Sequence, residues 1–130
     1  MEITVKELEQ AELITINGRL ESVEAPQLAR ALEAASQRGK YKIVVDMSQL
    51  EYMSSAGFRA LGDAQRNSKH HNRGEVLLVQ VRDNIHDALV LVGLAEYFNM
   101  FDNVTTALEF AANLQADDSR TDAPTLPSKK

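Results

Sequence analysis

The chain has 130 residues, of which 44% are hydrophobic and 25% charged, and it carries a formal net charge of -5. This length and composition predict one domain with a real hydrophobic core. The absence of cysteine excludes disulfides, cysteine-based zinc sites and thiol nucleophiles. The acidic balance argues against general nucleic-acid binding, and no apolar run approaches the roughly 20 residues of a membrane span. We therefore expect a cytoplasmic protein that inserts into no membrane.

The first third of the chain predicts a hairpin and a helix. Residues 3–8 and 13–17 are rich in isoleucine and threonine and are separated by a polar turn, which indicates two antiparallel strands. Gly18 is expected to close the second strand. Ser22 is the predicted N-cap of a helix that Gly39 terminates.

The middle of the chain predicts a buried strand followed by a long helix. Residues 42–47 form a short apolar block, and apolar residues then recur at helical spacing to about residue 72. Between them lie Ser54 and Ser55, one of which is the expected N-cap of this helix.

The pattern of strand and helix continues with a second apolar strand at residues 75–81. Asp83 or Asn84 is expected to cap the next helix. That helix places Ile85, Leu89 and Val92 on one face.

A short last strand at residues 97–101 precedes a final helix, which Asp102 or Asn103 opens. Residues 115–130 contain too little apolar surface to become ordered. The sequence therefore predicts one α/β domain at residues 1–114, with a mixed and mostly parallel sheet of about five strands and about four helices. A disordered tail at residues 115–130 follows it.

The adjacent hydroxyls of Ser54 and Ser55 are the most informative feature of the chain. They lie where a strand passes into a helix, and at a helix N-terminus several N-H groups lack partners and the macrodipole is positive. Such a position accommodates a phosphate, but serine is also a common N-cap. The residues alone leave both interpretations open.

Two segments give the chain a resemblance to a known family: Gly18-Arg19-Leu20-Glu21 after the second strand, and Ser54-Ser55-Ala56-Gly57-Phe58 at the start of the second helix. With the order of elements, they resemble the STAS domain of bacterial anti-sigma factor antagonists over about residues 3–114. In that family the serine after an aspartate is the phosphoacceptor. This position matches Ser55, while Ser54 stands where the family has aspartate and is the alternative acceptor.

The resemblance implies a phosphorylation-controlled partner switch in signal transduction and transcription regulation. The unphosphorylated protein would bind an anti-sigma factor that is also a serine kinase with a histidine-kinase-like ATP fold, and so release the sigma factor. Phosphorylation of Ser55 would end this binding, and a serine phosphatase would restore it. The resemblance assigns partner binding to Glu21, Ser22, Glu24, Ser54, Ser55, Ala56, Gly57 and Arg59.

Two of these residues have open roles. Arg59 lies one helical turn beyond Ser55 and could pair with its phosphate, or it could simply be solvated. Gly57 could allow the close approach of a neighbouring backbone, or it could only make a tight helix-to-sheet contact.

Other sites are weakly indicated. His70 and His71 are adjacent and would point about 100° apart on a helix, and His86 is remote in sequence, so the spacing of metal ligands is missing. No histidine or cysteine accompanies the carboxylates near Ser55 to complete a catalytic set, and there is no glycine-rich phosphate loop. We expect no catalytic residues, no cofactor, no metal and no enzymatic activity.

Two other functions remain as alternatives to the switch. In one, the domain is a non-switching STAS module, such as a structural subunit of a lipid transporter or of a signalling assembly, and Ser55 only begins a helix. In the other, it is a sensor of a small ligand or a nucleotide at the C-terminal ends of the strands.

Overall fold

The computed structural model describes residues 1–71 and 74–116. The fold begins with an antiparallel hairpin of β1 (Glu2–Glu7) and β2 (Glu12–Leu20). The hairpin aligns Ile3 with Ile16 and Val5 with Ile14. Because Ile14 and Ile16 are fully buried, one face of the hairpin forms part of the core.

Gly18 does not close β2, so this prediction is wrong. Its φ of +102° lets the strand bend without ending, and the pairing register shifts between Gly18 and Arg19. Beyond the bend, β2 pairs in parallel with β4 (Leu50–Met53), a strand that the sequence analysis did not predict.

The remaining elements alternate between strand and helix. The central pairings are parallel, in the order β1-β2-β3-β5-β6, and β4 pairs with the end of β2. The predicted α/β class and mixed, mostly parallel sheet are confirmed, with six strands in place of five. These elements are α1 (Ala25–Gln37), β3 (Lys42–Asp46), α2 (Ser55–Lys69), β5 (Glu75–Val79), α3 (Asp83–Leu91), β6 (Asn99–Phe101) and α4 (Val104–Ala116).

The two faces of the sheet carry cores of different size. Helices α1, α2 and α3 cover one face, where the larger apolar cluster includes Leu28, Leu61 and Leu89. Helix α4 covers the other face, where Ala107 and Ala111 are fully buried in a smaller cluster. Burial of these apolar side chains is the main term that stabilises the fold.

Helix α3 differs from its prediction at both ends. Neither Asp83 nor Asn84 caps it, because Arg82 is the N-cap residue and Asn84 Nδ2 instead donates to the backbone oxygen of Glu51 at 3.1 Å. Val92 follows the last helical residue and is 44% exposed, so it does not share the buried face of Ile85.

Helices α2 and α4 both end close to residues that lie outside the described part of the chain. Helix α2 ends at Lys69, and residue 72, where it was expected to end, lies outside the described residues. Asn103 caps α4 as expected, since its Oδ1 accepts from the Thr106 N-H at 2.8 Å. Helix α4 extends to Ala116, and residues 117–130 of the predicted disordered tail lie outside the described residues.

Candidate functional site at the start of the second long helix

Ser54 is the N-cap of α2 and is 4% exposed. Its backbone is extended, and its Oγ accepts from the Gly57 N-H at 3.3 Å, a group that also reaches the Ser54 backbone oxygen at 3.0 Å. Its own N-H donates to the backbone oxygen of Leu20 at 2.9 Å. The Ser54 hydroxyl is therefore buried and already used for capping.

Ser55 is the first residue of α2, and its side chain is exposed. In the first turn of a helix the N-H groups have no intrahelical acceptor, and the positive end of the macrodipole lies among them. The neighbouring hydroxyls of Ser54 and Ser55 thus have opposite environments. Of these two hydroxyls, only that of Ser55 lies on an exposed residue.

Gly57 brings the first turn of α2 close to the sheet. A Cβ atom on Gly57 would lie 2.6 Å from Cγ of Met53 and 2.8 Å from Cδ2 of Leu20. Both neighbours are buried side chains at the ends of β4 and β2. The three atoms nearest to that position all belong to side chains, so Gly57 makes a tight helix-to-sheet contact. Ala56 is partly buried against the same core.

The connection between β2 and α1 lies beside Ser55, since the hydrogen bond from Ser54 to Leu20 joins the end of β2 to the start of α2. It forms a short 3-10 helix, Ser22–Glu24. Ser22 is exposed and does not cap α1, whose N-cap residue is Glu24, so the predicted Ser22 cap is wrong. The turn is stabilised by carboxylates: Glu24 Oε1 accepts from the Glu21 N-H at 2.8 Å.

Three residues that sequence reasoning missed extend this surface. Arg19 donates from Nε to Glu21 Oε2 at 3.0 Å, and its guanidinium lies 4.6 Å from the centroid of the Tyr52 ring. Val23, in the 3-10 helix, is 81% exposed. Arg19 and Tyr52 meet because β2 continues past Gly18 and pairs with β4, and the missing prediction of β4 is the reason that this pair was not found.

Arg59 lies one turn after Ser55. Both residues line a groove with a volume of about 290 Å³. Helix α2 contributes Ser55, Arg59 and Arg66, and the segment after α3 contributes Val92 and Leu94. Arg66 is paired with Asp63 at 2.8 Å, whereas Arg59 has no ion pair within residues 1–71 and 74–116. An unpaired cation thus lies one turn from the exposed hydroxyl.

The three histidines are not part of this site. His71 stacks on Tyr41 with the ring centroids 4.5 Å apart, and its Nδ1 lies 2.7 Å from the backbone oxygen of Asn67. In the part of the chain that the structure describes, no group of three or more histidine, aspartate or glutamate side chains is arranged to hold a metal ion. Within the same residues, none of the helices has the length and hydropathy of a membrane span.

Comparisons with known proteins agree on one family. A family model of the STAS domain matches residues 2–107. The Bordetella bronchiseptica protein BtrV, whose name describes it as an anti-sigma factor antagonist, is 24% identical over 98 residues, which are 75% of this chain and 84% of BtrV.

Solved structures share the fold over most of both chains. The anti-sigma factor antagonist SpoIIAA in its unphosphorylated form has a TM-score of 0.76 at 15% identity, over 86% of this chain and 97% of SpoIIAA. The phosphorylated form of SpoIIAA from Bacillus has a TM-score of 0.67 at 15% identity, over 84% and 98%. A sulfate transporter family protein from Wolinella succinogenes has a TM-score of 0.68 at 25% identity, over 82% and 88%.

Proposed function

Because the chain belongs to the STAS domain family, we propose that it is an anti-sigma factor antagonist that exchanges partners when Ser55 is phosphorylated. Unphosphorylated, it binds an anti-sigma factor that is also a serine kinase with a histidine-kinase-like ATP fold, and the sigma factor is released. Phosphorylation ends this binding, and a serine phosphatase reverses it. The protein is a cytoplasmic binding protein without catalytic residues of its own. The names of BtrV and SpoIIAA support the general role.

The observation that carries the proposal is the contrast between two adjacent serines. Ser54 is 4% exposed and holds the first turn of α2, whereas Ser55 is exposed on the same turn. A kinase must bring a hydroxyl oxygen into line with a γ-phosphate, and only Ser55 can be reached without opening the helix. This favours Ser55 over Ser54 as the phosphoacceptor.

The serine at position 54 is compatible with this role although the family pattern that the segment resembles has aspartate there. Serine and aspartate are about equally good N-caps, since each offers an oxygen to the N-H groups of the first turn. The Ser54 Oγ makes that contact with Gly57. The replacement therefore keeps the cap and removes a negative charge next to the acceptor.

Electrostatics explains how one phosphate ends binding. It adds about -1.5 to -2 charges at neutral pH to a surface that already carries Glu21 and Glu24. In the free protein the helix N-terminus and Arg59 partly compensate this charge. In a complex whose interface is built around a neutral hydroxyl, the same charge must be desolvated, so the complex is weakened while the free protein stays folded.

Intact-mass analysis after incubation with the cognate kinase and ATP tests the acceptor. We expect one added phosphate on the wild type and on Ser22→Ala, which removes another exposed hydroxyl nearby. We expect none on Ser55→Ala. Full phosphorylation of Ser55→Ala together with its loss in Ser54→Ala would show that the assignment is wrong.

The similarity to a sulfate transporter family protein favours a second candidate, a STAS module that serves as a structural subunit of a transporter or another assembly. In that role a charge at position 55 has no consequence for the complex. Titration of the kinase with Ser55→Asp distinguishes the two functions, and we expect at least tenfold weaker binding than for Ser55→Ala.

Thr105→Asp is the matched control for this titration, because Thr105 is exposed in the first turn of α4, the helix on the other face of the sheet. We expect it to bind the kinase like the wild type. Equal affinities of Ser55→Asp and Ser55→Ala would favour the structural subunit.

A further inference from the structure

The outer edge of β1 has no partner strand among residues 1–71 and 74–116. Within the described residues β1 pairs with β2 alone and forms one end of the sheet, while the strand at the other end, β6, has three residues. The six residues of β1 include no proline or glycine, and three of them, Ile3, Thr4 and Val5, are β-branched. Edges of this kind accept another strand unless charge, proline or a bulge prevents it.

The sequence of β1 is complementary to itself when two copies run antiparallel. With Thr4 opposite Thr4 of the second copy, Glu2 lies opposite Lys6 on one face of the strand, and Ile3 lies opposite Val5 on the other face. Because the two copies are related by a twofold axis, each of these pairs occurs twice. Opposite charges and β-branched residues are both favourable cross-strand pairs.

Other registers lose this match. In an antiparallel pair, two residues that face each other either both hydrogen-bond across the pair or both do not. One strand can therefore shift along the other only in steps of two residues. Centring the pair on Val5 places Ile3 opposite Glu7 and Lys6 opposite Thr4. Centring it on Ile3 places Glu2 opposite Thr4, so the pair of Glu2 with Lys6 is lost.

Burial supports the same partner. Val5 is 41% exposed although it is aligned with the fully buried Ile14, and Ile3 is only partly buried where it packs against the larger core. Pairing Ile3 and Val5 with their symmetry mates would extend that apolar face across the twofold axis. A lysine on an edge strand normally discourages association, but here Glu2 of the second copy neutralises Lys6.

We propose that a second copy of this chain adds to the β1 edge, antiparallel about a twofold axis at Thr4, so that one sheet runs through both protomers. A six-residue strand is about 20 Å long, which gives an interface below the area of about 1,200 Å² seen in stable complexes. An interface of this size is typical of weak, transient association, so we expect a dimer that forms only at high protein concentration.

Sedimentation velocity of the untagged protein at rising concentration, up to about 1 mM, tests the proposal. We expect concentration-dependent dimers for the wild type. Lys6→Glu and Glu2→Lys each place like charges opposite each other twice, so each is expected to weaken the dimer about tenfold. The double variant Glu2→Lys/Lys6→Glu restores both pairs with reversed polarity and is expected to return to within about threefold of the wild type.

Lys69→Glu is the matched control, since it makes the same charge change on an exposed residue at the end of α2. We expect it to dimerise like the wild type, and circular dichroism checks that every variant is folded. A wild type that stays monomeric throughout, single variants as dimeric as the wild type, or a double variant no stronger than the singles would each overturn the proposal.

Discussion

Helices α1 and α2 begin next to each other, but their first turns are held by different means. The first turn of α2 is fixed by buried contacts: Ser54 caps it, and Gly57 packs on Met53. The start of α1 is an exposed 3-10 helix held by hydrogen bonds between Glu21 and Glu24. Buried packing fixes a position more strictly than exposed polar contacts, which water can replace.

This difference fits the proposed role of Ser55 as the phosphoacceptor. A phosphoacceptor must be presented in a fixed geometry, since proximity and orientation account for much of the rate of phosphoryl transfer. The neighbouring turn, with its exposed Val23, is held by polar contacts that water can replace. The following predictions test the comparison, beginning with the largest expected effect.

The two glycines of α2 separate packing from helix propensity. Gly57→Ala would place a Cβ 2.6 Å from Met53 Cγ, so we expect the free energy of unfolding to fall by about 2 kcal/mol. Gly62→Ala makes the same change in the same helix, but its Cβ would lie 3.5 Å from Leu94 Cδ1, an ordinary contact. We expect it to stabilise the protein by about 0.5–1 kcal/mol.

Urea denaturation measures both changes. If the two variants had equal stability, the first turn of α2 would not be held by its contact with β4.

The buried cap is expected to have the next largest effect. Ser54→Ala removes the Oγ that accepts from the Gly57 N-H, and such a loss costs about 1 kcal/mol. Ser22→Ala, the corresponding change at the start of the exposed 3-10 helix, should change stability by less than about 0.5 kcal/mol because Ser22 caps nothing. Thermal denaturation compares them, and a loss in Ser22→Ala as large as in Ser54→Ala would contradict the distinction between buried and exposed starts.

The same contrast explains which predictions succeeded from sequence. The start of α2 was predictable because the strand before it, the serine pair and the spacing of Phe58 and Leu61 all indicate one boundary. The start of α1 was predicted incorrectly because Ser22 has the residue type of a cap, while the backbone begins with a 3-10 turn held by glutamates. Local propensity could not decide between an α-helix capped by Ser22 and a 3-10 turn held by glutamates.

Strand β4 could not be predicted because its pairing depends on a distant residue. Leu50–Met53 has four residues, with apolar ends and an exposed middle, which matches neither alternation nor a continuous apolar run. It becomes a strand since Gly18, far away in sequence, lets β2 bend and continue. The contact between Arg19 and Tyr52 depends on that pairing, so this part of the surface was equally hidden.

The exposed start of α1 should respond weakly to the loss of its carboxylate. Glu24→Ala removes the acceptor of the Glu21 N-H, and we expect a loss of about 0.5 kcal/mol because water can take over that group. Glu24→Gln keeps an acceptor oxygen and should lose less. Amide hydrogen exchange at Glu21, measured by NMR, reports the bond directly. A protected Glu21 amide in Glu24→Ala would show that the side chain does not hold this turn.

A similarly small effect is expected in the phosphorylated protein. A phosphate on Ser55 at the N-terminus of α2 should stabilise the free protein, by about 0.3–1 kcal/mol at low salt, because it faces unpartnered N-H groups and the positive end of the macrodipole. Arg59 should add a salt-sensitive part of this gain. Thermal denaturation of both forms of the wild type and of Arg59→Gln measures that part.

Arg66→Gln is the control for Arg59→Gln, since Arg66 lines the same groove but is already paired with Asp63. If Arg59→Gln leaves the gain unchanged, the helix terminus alone stabilises the phosphate. If phosphorylation destabilises the free protein, the charge strains the fold as well as the complex. A stabilised phosphoprotein would instead mean that the switch acts through the interface, because the modified chain stays folded and loses only its complementarity to the partner.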